Sequence, residues 1–478
     1  MQHLIFSHQA QALDLFAQKL GLDIPILMEV AGLRMWERIR SHFPHPNTPF
    51  FFLVGPGHNG GDALVVARHA WTAGYRNLKL HVPVSTLKPT TQKQLDILQN
   101  MGLGSRIVVS WNGDLQPSTV VIEGLSGAGR LPQHLDGLIA KLNELNNPKI
   151  ALDLPCGLGQ GNTYHATLTL SVAPLKVELF IPQNRCYCGT IETIEMPWPL
   201  QELGELERST NITLVDLDDL VGQLASLRPQ PWDHKGKRGR VGIWAGQAEM
   251  LGAGKMASLA AIQVAGVVEW HVHEKDLPAA QMGVLGPLTR IFDPDRLAKL
   301  ADTYQSILVG PGLDPETALE IVNQLGSTQA DLVLDAGALS PNVLSLLTNK
   351  RRVILTPHPG EMARLMRVSV EHVLKDPAGV LKQVPEHAIV VLKSQPLWIS
   401  FQGQHWVLDT NNPALGFGGS GDILAGLMAG LAARLEPLEA VFAAVALHQK
   451  AAQVKTRWLN PEILLMNLSQ VLAEVWSA

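Results

Sequence analysis

Short apolar segments alternate with longer amphipathic segments along most of this chain, and this alternation restricts the possible folds more than any other feature. The segments FFLVG (51–55), TVVIEGL (119–125) and KIALDL (149–154) have the composition of buried strands, and helical patterns lie between such segments. Strands that alternate with helices pair in parallel, because each helix returns the chain to the same edge of the sheet. We therefore predict a doubly wound α/β fold whose functional residues follow the carboxyl ends of strands.

The alternation occurs in two blocks, and 478 residues are too many for one ordinary core. A less periodic stretch at 197–231 separates the blocks, and the second block restarts with RVGIWAG at 240–246. We predict a Rossmann-like α/β/α domain at residues 1–213 and a second α/β/α domain at residues 218–478. With 17% charged and 46% hydrophobic residues, the composition excludes a largely disordered protein.

Charge and hydropathy give no reason to expect nucleic acid or a membrane as a partner. The net charge of −5 gives no electrostatic reason to bind nucleic acid or an anionic membrane. The longest nearly apolar runs, at 257–268 and 423–433, are shorter than the roughly 20 residues that span a bilayer. Acid, histidine and glutamine residues interrupt positions 1–16, where a signal peptide would be apolar, and three cysteines are too few for a disulfide scaffold. We expect a cytoplasmic protein.

The segment NPALGFGGSGDILAGLMAGLAARL at 412–435 is the strongest local signal. Its glycines precede a long apolar helix that we predict to begin near Asp422, so amide groups at the helix start could bind an anion. The adjacent aspartate could take a proton from an attacking hydroxyl, as phosphoryl transfer requires. Alternatively, the segment is an ordinary turn in which Asp422 caps the helix. The proposed anion hole consists of Gly418, Gly419, Ser420 and Gly421.

Four other strands of the second block also break into polar or glycine-rich turns. They are LVGPGL (308–313), VLDAG (333–337), LTPHPGEMARL (355–365) and VVLKS (390–394), and parallel pairing brings their turns to one edge of a sheet. Together with HKG at 234–236, these motifs resemble the ribokinase-like superfamily. More narrowly, residues 220–478 resemble the ADP- or ATP-dependent NAD(P)H-hydrate dehydratases.

This resemblance implies a reaction in which ADP or ATP, with Mg²⁺, phosphorylates the ring hydroxyl of hydrated NADH or NADPH. Phosphate then leaves and the dinucleotide is restored. The residues implied to contact the hydrate are Ala253, Gly312, His358 and Asp422, and those implied to contact the adenine nucleotide are Lys393, Ser394, Gln395, Pro396, Leu397 and Gly421. The chain departs from the family at 393–397, at Phe417 and at Gly337. On residue type alone, His358 could instead fix its proline-rich turn.

The first block contains VGPGHNGGDALVVAR at 54–68, a strand, a glycine-rich turn and a helix. With LMEVAG (27–32) and LDLPCG (152–157), residues 1–200 resemble the NAD(P)H-hydrate epimerase domain. The resemblance implies potassium ligands at Asn59, Glu123 and Cys156. The residues implied to bind the hydrate are His58, Asn59, Gly60, Gly61, Asp62, Gly127, Ala128, Gly129, Arg130 and Asp153.

Three of these positions depart from the family, which has asparagine at 58, aspartate at 123 and serine at 156. A hard cation prefers oxygen ligands, and cysteine supplies sulfur. The domain is therefore either an epimerase with a modified ion site or a domain retained for binding or assembly. Asp153, at a strand end that faces the glycine turn, is the candidate acid/base; alternatively, it caps the next turn.

Two other functions fit parts of the pattern. One is a ribokinase-like small-molecule kinase with a non-catalytic N-terminal domain; the other is a non-catalytic nucleotide-binding protein. A kinase would accumulate a phosphorylated product, whereas a repair enzyme would release free phosphate and NAD(P)H. For either enzyme we expect small-molecule substrates and assembly of the chain with further copies of itself.

Overall fold

The structure is a computed structural model, and it describes residues 1–108, 111, 113–127, 133–198, 200–282, 285–326, 328–347, 352–410, 412–454 and 458–477. The predicted hydrate residues Ala128, Gly129 and Arg130 lie outside the described residues. The chain divides into two compact units. We call His3–Ile212 the N-terminal unit, and Thr213–Ala478 with Met1–Gln2 the C-terminal unit. Two short strands, Gln2–His3 and Ile212–Leu214, fall where the chain passes between the units.

The N-terminal unit contains a parallel sheet of seven strands. In spatial order they are Ile107–Val108, Leu78–His81, Phe50–Val54, Val120–Gly124, Lys149–Leu152, Leu168–Val172 and Thr190–Ile194. The α-helices are Ser7–Lys19, Ile24–His42, His58–Thr72, Pro89–Leu98, Asp136–Glu144, Pro182–Arg185 and Leu200–Thr210. The chain starts in the middle of the sheet, moves to one edge and returns to the neighbour of its first strand. The strand order therefore reverses between Phe50–Val54 and Val120–Gly124, and a crevice forms at such a switch point.

The central strand Phe50–Val54 shows why this sheet is covered on both faces. All five residues are buried, and alternate side chains enter two separate cores: Phe50 and Phe52 pack in one, and Phe51 and Leu53 in the other. A strand that is apolar throughout fits only a sheet with helices on both sides. The doubly wound α/β fold predicted from the alternation is confirmed.

Backbone contacts at the switch point leave no room for side chains. A Cβ at Gly55 would lie 1.9 Å from the Leu125 carbonyl oxygen, and a Cβ at Gly60 would lie 2.1 Å from the Gly55 carbonyl oxygen. Glycine at these positions lets the two strand-end turns and the first turn of the helix His58–Thr72 touch through their backbones.

The C-terminal unit contains a larger sheet that is parallel except at one side. Nine of its eleven strands, in spatial order, are Gln404–Leu408, Leu397–Phe401, Ala388–Leu392, Val353–Leu355, Asp331–Leu334, Ser306–Val309, Arg240–Trp244, Val267–Val272 and Leu288–Ile291. The first three form an antiparallel meander, and the remaining neighbours pair in parallel. The α-helices are Leu217–Gln223, Leu251–Val264, Leu277–Gln281, Leu297–Ala301, Pro315–Gln324, Val343–Leu346, Pro359–Met366, Val370–Lys375, Pro377–Leu381, Ser420–Ala432, Pro437–Gln453 and Pro461–Ser477.

A helix pair sets the position of the glycine-rich turn in this unit. The helix Ser420–Ala432 is buried along most of its length and packs against Leu251–Val264. A Cβ at Gly426 would lie 2.1 Å from the Ala257 carbonyl oxygen, so the two helices cross in backbone contact. The helix begins two residues before Asp422. Over the described residues, no helix is both long and apolar enough to cross a membrane.

Candidate active sites

A cavity of about 400 Å³ opens at the switch point of the N-terminal unit. Of the predicted hydrate residues, it is lined by His58, Asn59, Asp62, Gly127 and Asp153. Gly60 and Gly61 instead face protein: a Cβ at Gly61 would lie 2.4 Å from the Met28 Cε atom. The structure therefore brings five of the predicted residues together around one cavity.

Asp153 has an unusual backbone and a fixed side chain. Its φ of 65° lies in the left-handed region, which costs a non-glycine residue roughly 1 kcal/mol and often marks a functional position. The Lys176 ammonium donates to Asp153 Oδ1 at 2.6 Å, and the Val172 amide donates to the same oxygen at 3.2 Å. These donors belong to the neighbouring strand and its loop, so among the described residues Asp153 does not cap the turn that follows it.

The second oxygen of Asp153 and the amide of Asn59 meet beside Gly127. A Cβ at Gly127 would lie 3.2 Å from Asp153 Oδ2 and 3.9 Å from Asn59 Cγ. Both polar atoms of the Asn59 side chain are buried, and neither has a hydrogen-bond partner among the described residues. A buried unpaired amide costs about 1–3 kcal/mol, so this arrangement is that of a site completed by a ligand.

Two further acids line the cavity. Burial, together with Asp153 and Asp14, raises the pKa of Asp62 well above its usual range. Burial, followed by Asp153, also raises the pKa of Asp14. Sequence reasoning missed Asp14 because its helix, Ser7–Lys19, carries no motif and comes to the cavity only through the fold. Burial, with a smaller effect of Lys88, lowers the pKa of His58, so its neutral form is favoured.

Glu123 and Cys156, which we predicted as potassium ligands, contact each other away from solvent. Glu123 is 0% exposed. Its Oε1 accepts from the Leu125 amide at 2.6 Å and more weakly from the Ser126 amide at 3.4 Å, and its Oε2 accepts from the Cys156 amide at 3.1 Å. Both carboxylate oxygens are thus occupied by N–H donors. A potassium ion needs oxygen lone pairs directed at it, so these two residues do not fit the ion.

In the C-terminal unit the glycine-rich turn forms an open helix start. Gly419 is the N-cap, with a φ of 100° that favours glycine. Asp422 is therefore the third residue of the helix and not its cap, as the alternative interpretation required. Within the described part of the chain, the amides of Gly421 and Asp422 have no acceptor. Free amides at the start of a long helix form an anion site.

A partly buried lysine connects the turn to two other strand ends. Lys393 donates to Asp335 Oδ1 at 2.6 Å, and its ammonium lies 4.0 Å from Glu361 Oε2. A Cβ at Gly421 would lie 3.2 Å from the same ammonium, so Lys393 reaches the glycine-rich turn. Burial opposes its charge, but Asp335, Glu361 and Asp422 together raise the pKa of Lys393.

The Asp422 carboxyl is suited to take up a proton. Burial, followed by the negative charge of Asp335, raises its pKa to about 6, although Lys393 acts in the opposite direction. A pKa near neutrality suits a general base, because the group is ionised at pH 7 and still binds a proton well. Sequence reasoning found Asp422 but missed Asp335 and Glu361; their positions at the strand ends VLDAG and TPHPGE were the available signal.

His358 fixes the proline-rich turn. Its Nδ1 accepts from the Gly360 amide at 3.0 Å and the Glu361 amide at 3.3 Å, while the Glu361 carboxylate accepts from the His358 amide at 2.8 Å. The pair is a capping box at the start of the helix Pro359–Met366. The side chain is nevertheless 54% exposed, so the ring remains accessible.

The other residues predicted to contact the hydrate or the nucleotide lie in two parts of the C-terminal unit. Gly312, with a φ of 66°, adjoins Ala253: a Cβ there would lie 2.9 Å from the Ala253 Cβ. In the segment after Lys393, Gln395 is exposed, the Ser394 hydroxyl donates to the Pro396 carbonyl at 2.6 Å, and Leu397 is buried at the start of a strand.

His448, which sequence reasoning did not single out, contacts the glycine-rich turn from the helix Pro437–Gln453. His448 Nε2 lies 3.0 Å from the Ser420 carbonyl oxygen and 3.2 Å from the Ser420 hydroxyl. Burial lowers the pKa of His448 to about 4, so the ring is neutral and its Nε2–H can donate to the carbonyl.

Comparison with known proteins matches each unit to a separate family model. The model described as YjeF-related protein N-terminus matches residues 25–177, and the model described as NAD(P)H-hydrate dehydratase matches residues 241–473.

Full-length relatives carry both parts. A bifunctional NAD(P)H-hydrate repair enzyme of Thermosynechococcus vestitus is 32% identical over 496 residues, covering 96% of this chain and 95% of that protein. One from Gloeobacter violaceus is 31% identical, covering 94% and 93%. Among solved structures, an ADP/ATP-dependent NAD(P)H-hydrate dehydratase from Bacillus subtilis, co-crystallized with ATP and Mg²⁺, is 30% identical with a TM-score of 0.47, covering 54% of this chain and 96% of that one.

Proposed function

This chain belongs to the family of bifunctional NAD(P)H-hydrate repair enzymes, and on that premise we propose a role for each residue of its two sites. The protein interconverts the R and S hydrates of NADH and NADPH, and it dehydrates the S hydrate at the expense of a nucleotide, with release of phosphate. The epimerase acts in the N-terminal unit and the dehydratase in the C-terminal unit.

We assign proton removal in the dehydratase to Asp422. It takes the proton of the ring hydroxyl, whose oxygen attacks the terminal phosphorus of the nucleotide and displaces the shortened nucleotide. Phosphate then leaves the ring carbon, and loss of a proton from the neighbouring carbon restores the double bond of NAD(P)H. The observation that carries this assignment is a partly buried carboxyl with a pKa of about 6 beside two amides that lack acceptors among the described residues.

The anion hole stabilises the phosphoryl group during this transfer. The amides of Gly418, Gly419, Ser420 and Gly421 donate to its oxygens, and the positive end of the helix adds to their effect. Lys393, whose ammonium adjoins Gly421, offsets the charge on the nucleotide. Such preorganised donors typically contribute about 10²–10³-fold to a rate.

The dehydratase site would hold Mg²⁺ together with the phosphates of the nucleotide. Among the described residues no group of three or more His, Cys, Asp and Glu side chains could hold a metal alone, and Mg²⁺ is commonly bound by one or two carboxylates together with substrate phosphates. Asp422 fits one such contact, whereas Asp335 is occupied by Lys393 and Thr356. When bound, the ion neutralises phosphate charge.

The remaining predicted contacts complete the dehydratase proposal. Ala253 and Gly312 lie against the hydrate, and the exposed ring of His358 contacts it. Ser394, Gln395, Pro396 and Leu397, with Lys393 and Gly421, contact the adenine nucleotide, for which ADP and ATP are both candidates. Buried Leu397 can do so only through its backbone.

In the N-terminal unit, Asp153 is the acid/base for epimerisation. Any route between the epimers breaks and remakes a bond at the hydroxyl-bearing carbon and moves a proton on and off oxygen. Lys176 holds one oxygen of Asp153 and leaves the other facing the cavity. The unpaired amide of Asn59 binds a polar group of the hydrate, and His58, Asp62, Gly60, Gly61 and the turn at 127–130 shape the site.

The family similarity favours this reading over a small-molecule kinase with a non-catalytic N-terminal domain. Because NAD(P)H and adenine nucleotides are intracellular metabolites, we place the protein in the cytoplasm, and we propose that the chain forms homo-oligomers. Sedimentation of the purified protein tests the last point.

The test of the dehydratase proposal is Asp422→Asn in the full chain. Mixed hydrates are incubated with ADP or ATP, and NADH absorbance and free phosphate are followed. The variant should lose about 10²–10⁴-fold in rate because the base is removed, while circular dichroism and nucleotide binding stay unchanged. Asp302→Asn, at an exposed position of the same unit, is the control. Near-normal turnover in Asp422→Asn would refute the assignment.

A further inference from the structure

The buried carboxylate of Glu123 joins the two turns that shape the N-terminal cavity. Leu125 and Ser126, which donate to it, belong to the turn that carries Gly127. Cys156, which donates at 3.1 Å, belongs to the next strand-end turn, which carries Asp153. The Cys156 side chain lies beside the same carboxylate, and burial, followed by the charge of Glu123, raises the pKa of its thiol. One side chain therefore connects the two segments that face the hydrate.

The polarity of this centre is opposite to that of a cation site. A potassium ion is held by carbonyl, carboxylate and hydroxyl oxygens whose lone pairs point inward. Here the amides of both turns point inward, and their positive ends converge on one carboxyl group, as in an anion-binding nest. In a trans peptide group the N–H and the C=O point in opposite directions. The peptide groups whose N–H points at the carboxylate therefore direct their carbonyl oxygens away from it, and they cannot also supply carbonyl ligands to a cation at that point. Sulfur at position 156 is also a poor ligand for a hard cation.

We propose that Glu123 replaces a bound cation in this chain and tethers the two turns from within, so that the N-terminal unit epimerises hydrates without potassium. The longer side chain of glutamate reaches amides of both turns. Cys156 contributes its backbone amide as a donor. The consequence for catalysis rests on the epimerase function proposed above, whereas the structural tether does not.

Calorimetric unfolding of the full chain tests the tether in potassium, sodium and choline chloride at equal ionic strength. The wild-type unfolding temperatures should agree within about 1 °C, whereas a saturated potassium site would raise Tm by a few degrees. Glu123→Gln should lower Tm by several degrees equally in all three salts, because its NH₂ group would face backbone donors. Cys156→Ser keeps a donor and should change Tm little. Glu144→Gln, at an exposed position of the same unit, is the matched control.

The proposal is overturned if potassium specifically raises the wild-type Tm, or if Glu123→Gln unfolds at the wild-type temperature. Should Glu123→Gln fail to fold, the wild-type comparison between salts still decides.

Epimerisation is measured separately by omitting nucleotide, which keeps the dehydratase silent in the intact chain. Purified R hydrate is converted in potassium or sodium chloride, and the epimers are separated by chromatography. Wild-type rates should agree within twofold in the two salts; a fivefold or greater activation by potassium would overturn the proposal. A chain that is inactive in every salt would contradict the epimerase function, and calorimetry would then judge the tether alone.

Discussion

At the scale of single residues, the proton affinity of Asp422 depends on burial and on charged neighbours, of which Asp335 has the largest effect. Burial raises its pKa to about 6, and the charge of Asp335 adds to that effect, while Lys393 counteracts it. The base form is lost as pH falls through this value. We predict that kcat/KM for dehydration decreases about tenfold per pH unit below roughly pH 6.

Asp335→Asn should move the acidic limb of the pH profile, where kcat/KM falls, to lower pH. The substitution removes a charge that raises the Asp422 pKa, and it frees Lys393 to lower that pKa further. Initial rates are measured at subsaturating substrate concentrations between about pH 4.5 and 8, a range about the pKa. The pH at which kcat/KM begins to fall gives the position of this acidic limb, whatever the absolute activity of the variant. Asp302→Asn should leave the limb in place, and an unmoved limb in Asp335→Asn would show that this charge does not set the pKa.

Asp14 is a second acid of the epimerase cavity, and we predict that it assists proton transfer. Burial and then the charge of Asp153 raise its pKa, so its carboxyl holds a proton more readily than an exposed aspartate does. Asp14→Asn should slow epimerisation about tenfold to hundredfold and leave dehydration of the S hydrate unchanged. Asp23→Asn, at an exposed position just beyond the same helix, is the control. Equal epimerisation rates in the two variants would remove Asp14 from the mechanism.

At the scale of elements, local sequence was sufficient for most strands and for the turns that end them. The strand FFLVG and the helix after GGSG follow from apolar runs and glycine positions, which are short-range signals. The start of the helix was misplaced by two residues, since Gly419 is its cap. Its support from the helix Pro437–Gln453 could not be predicted, because His448 looks like any histidine on an apolar helix.

His448 should hold the glycine-rich turn in its binding conformation. His448→Leu leaves the Ser420 carbonyl without its donor, which should lower the free energy of unfolding by about 1–3 kcal/mol. The turn should also bind ATP more weakly, because Ser420 belongs to the proposed anion hole. Denaturant unfolding and titration calorimetry with ATP measure the two effects. His372→Leu, at an exposed position, is the control and should change neither quantity. If His448→Leu binds ATP with unaltered affinity, His448 stabilises the fold but does not hold the turn for nucleotide binding.

At the scale of the whole molecule, the sites join residues that are far apart in sequence. Lys393 and Asp335 are 58 residues apart, and Glu123 and Cys156 are 33 apart. Parallel pairing predicted that such turns lie at one edge of a sheet. This shared position was the part of each site that could be predicted from the sequence. The pattern could not show which group contacts which, nor that amides rather than carbonyls converge on Glu123, because backbone orientation in a turn is set by the folded structure.

The two activities should separate cleanly between the two units, since each has its own sheet and core. With R hydrate and ADP or ATP, Asp153→Asn should produce NADH only at the rate of spontaneous epimerisation, because asparagine tolerates the same left-handed backbone but cannot exchange the proton. Asp422→Asn should produce NADH about 10²–10⁴-fold more slowly than the wild type. An equimolar mixture of the two variants should restore complete conversion, because the S hydrate released by one chain is a substrate for the other. NADH absorbance follows all three reactions. If the mixture converts R hydrate no faster than Asp153→Asn alone, the assignment of separate activities to Asp153 and Asp422 fails.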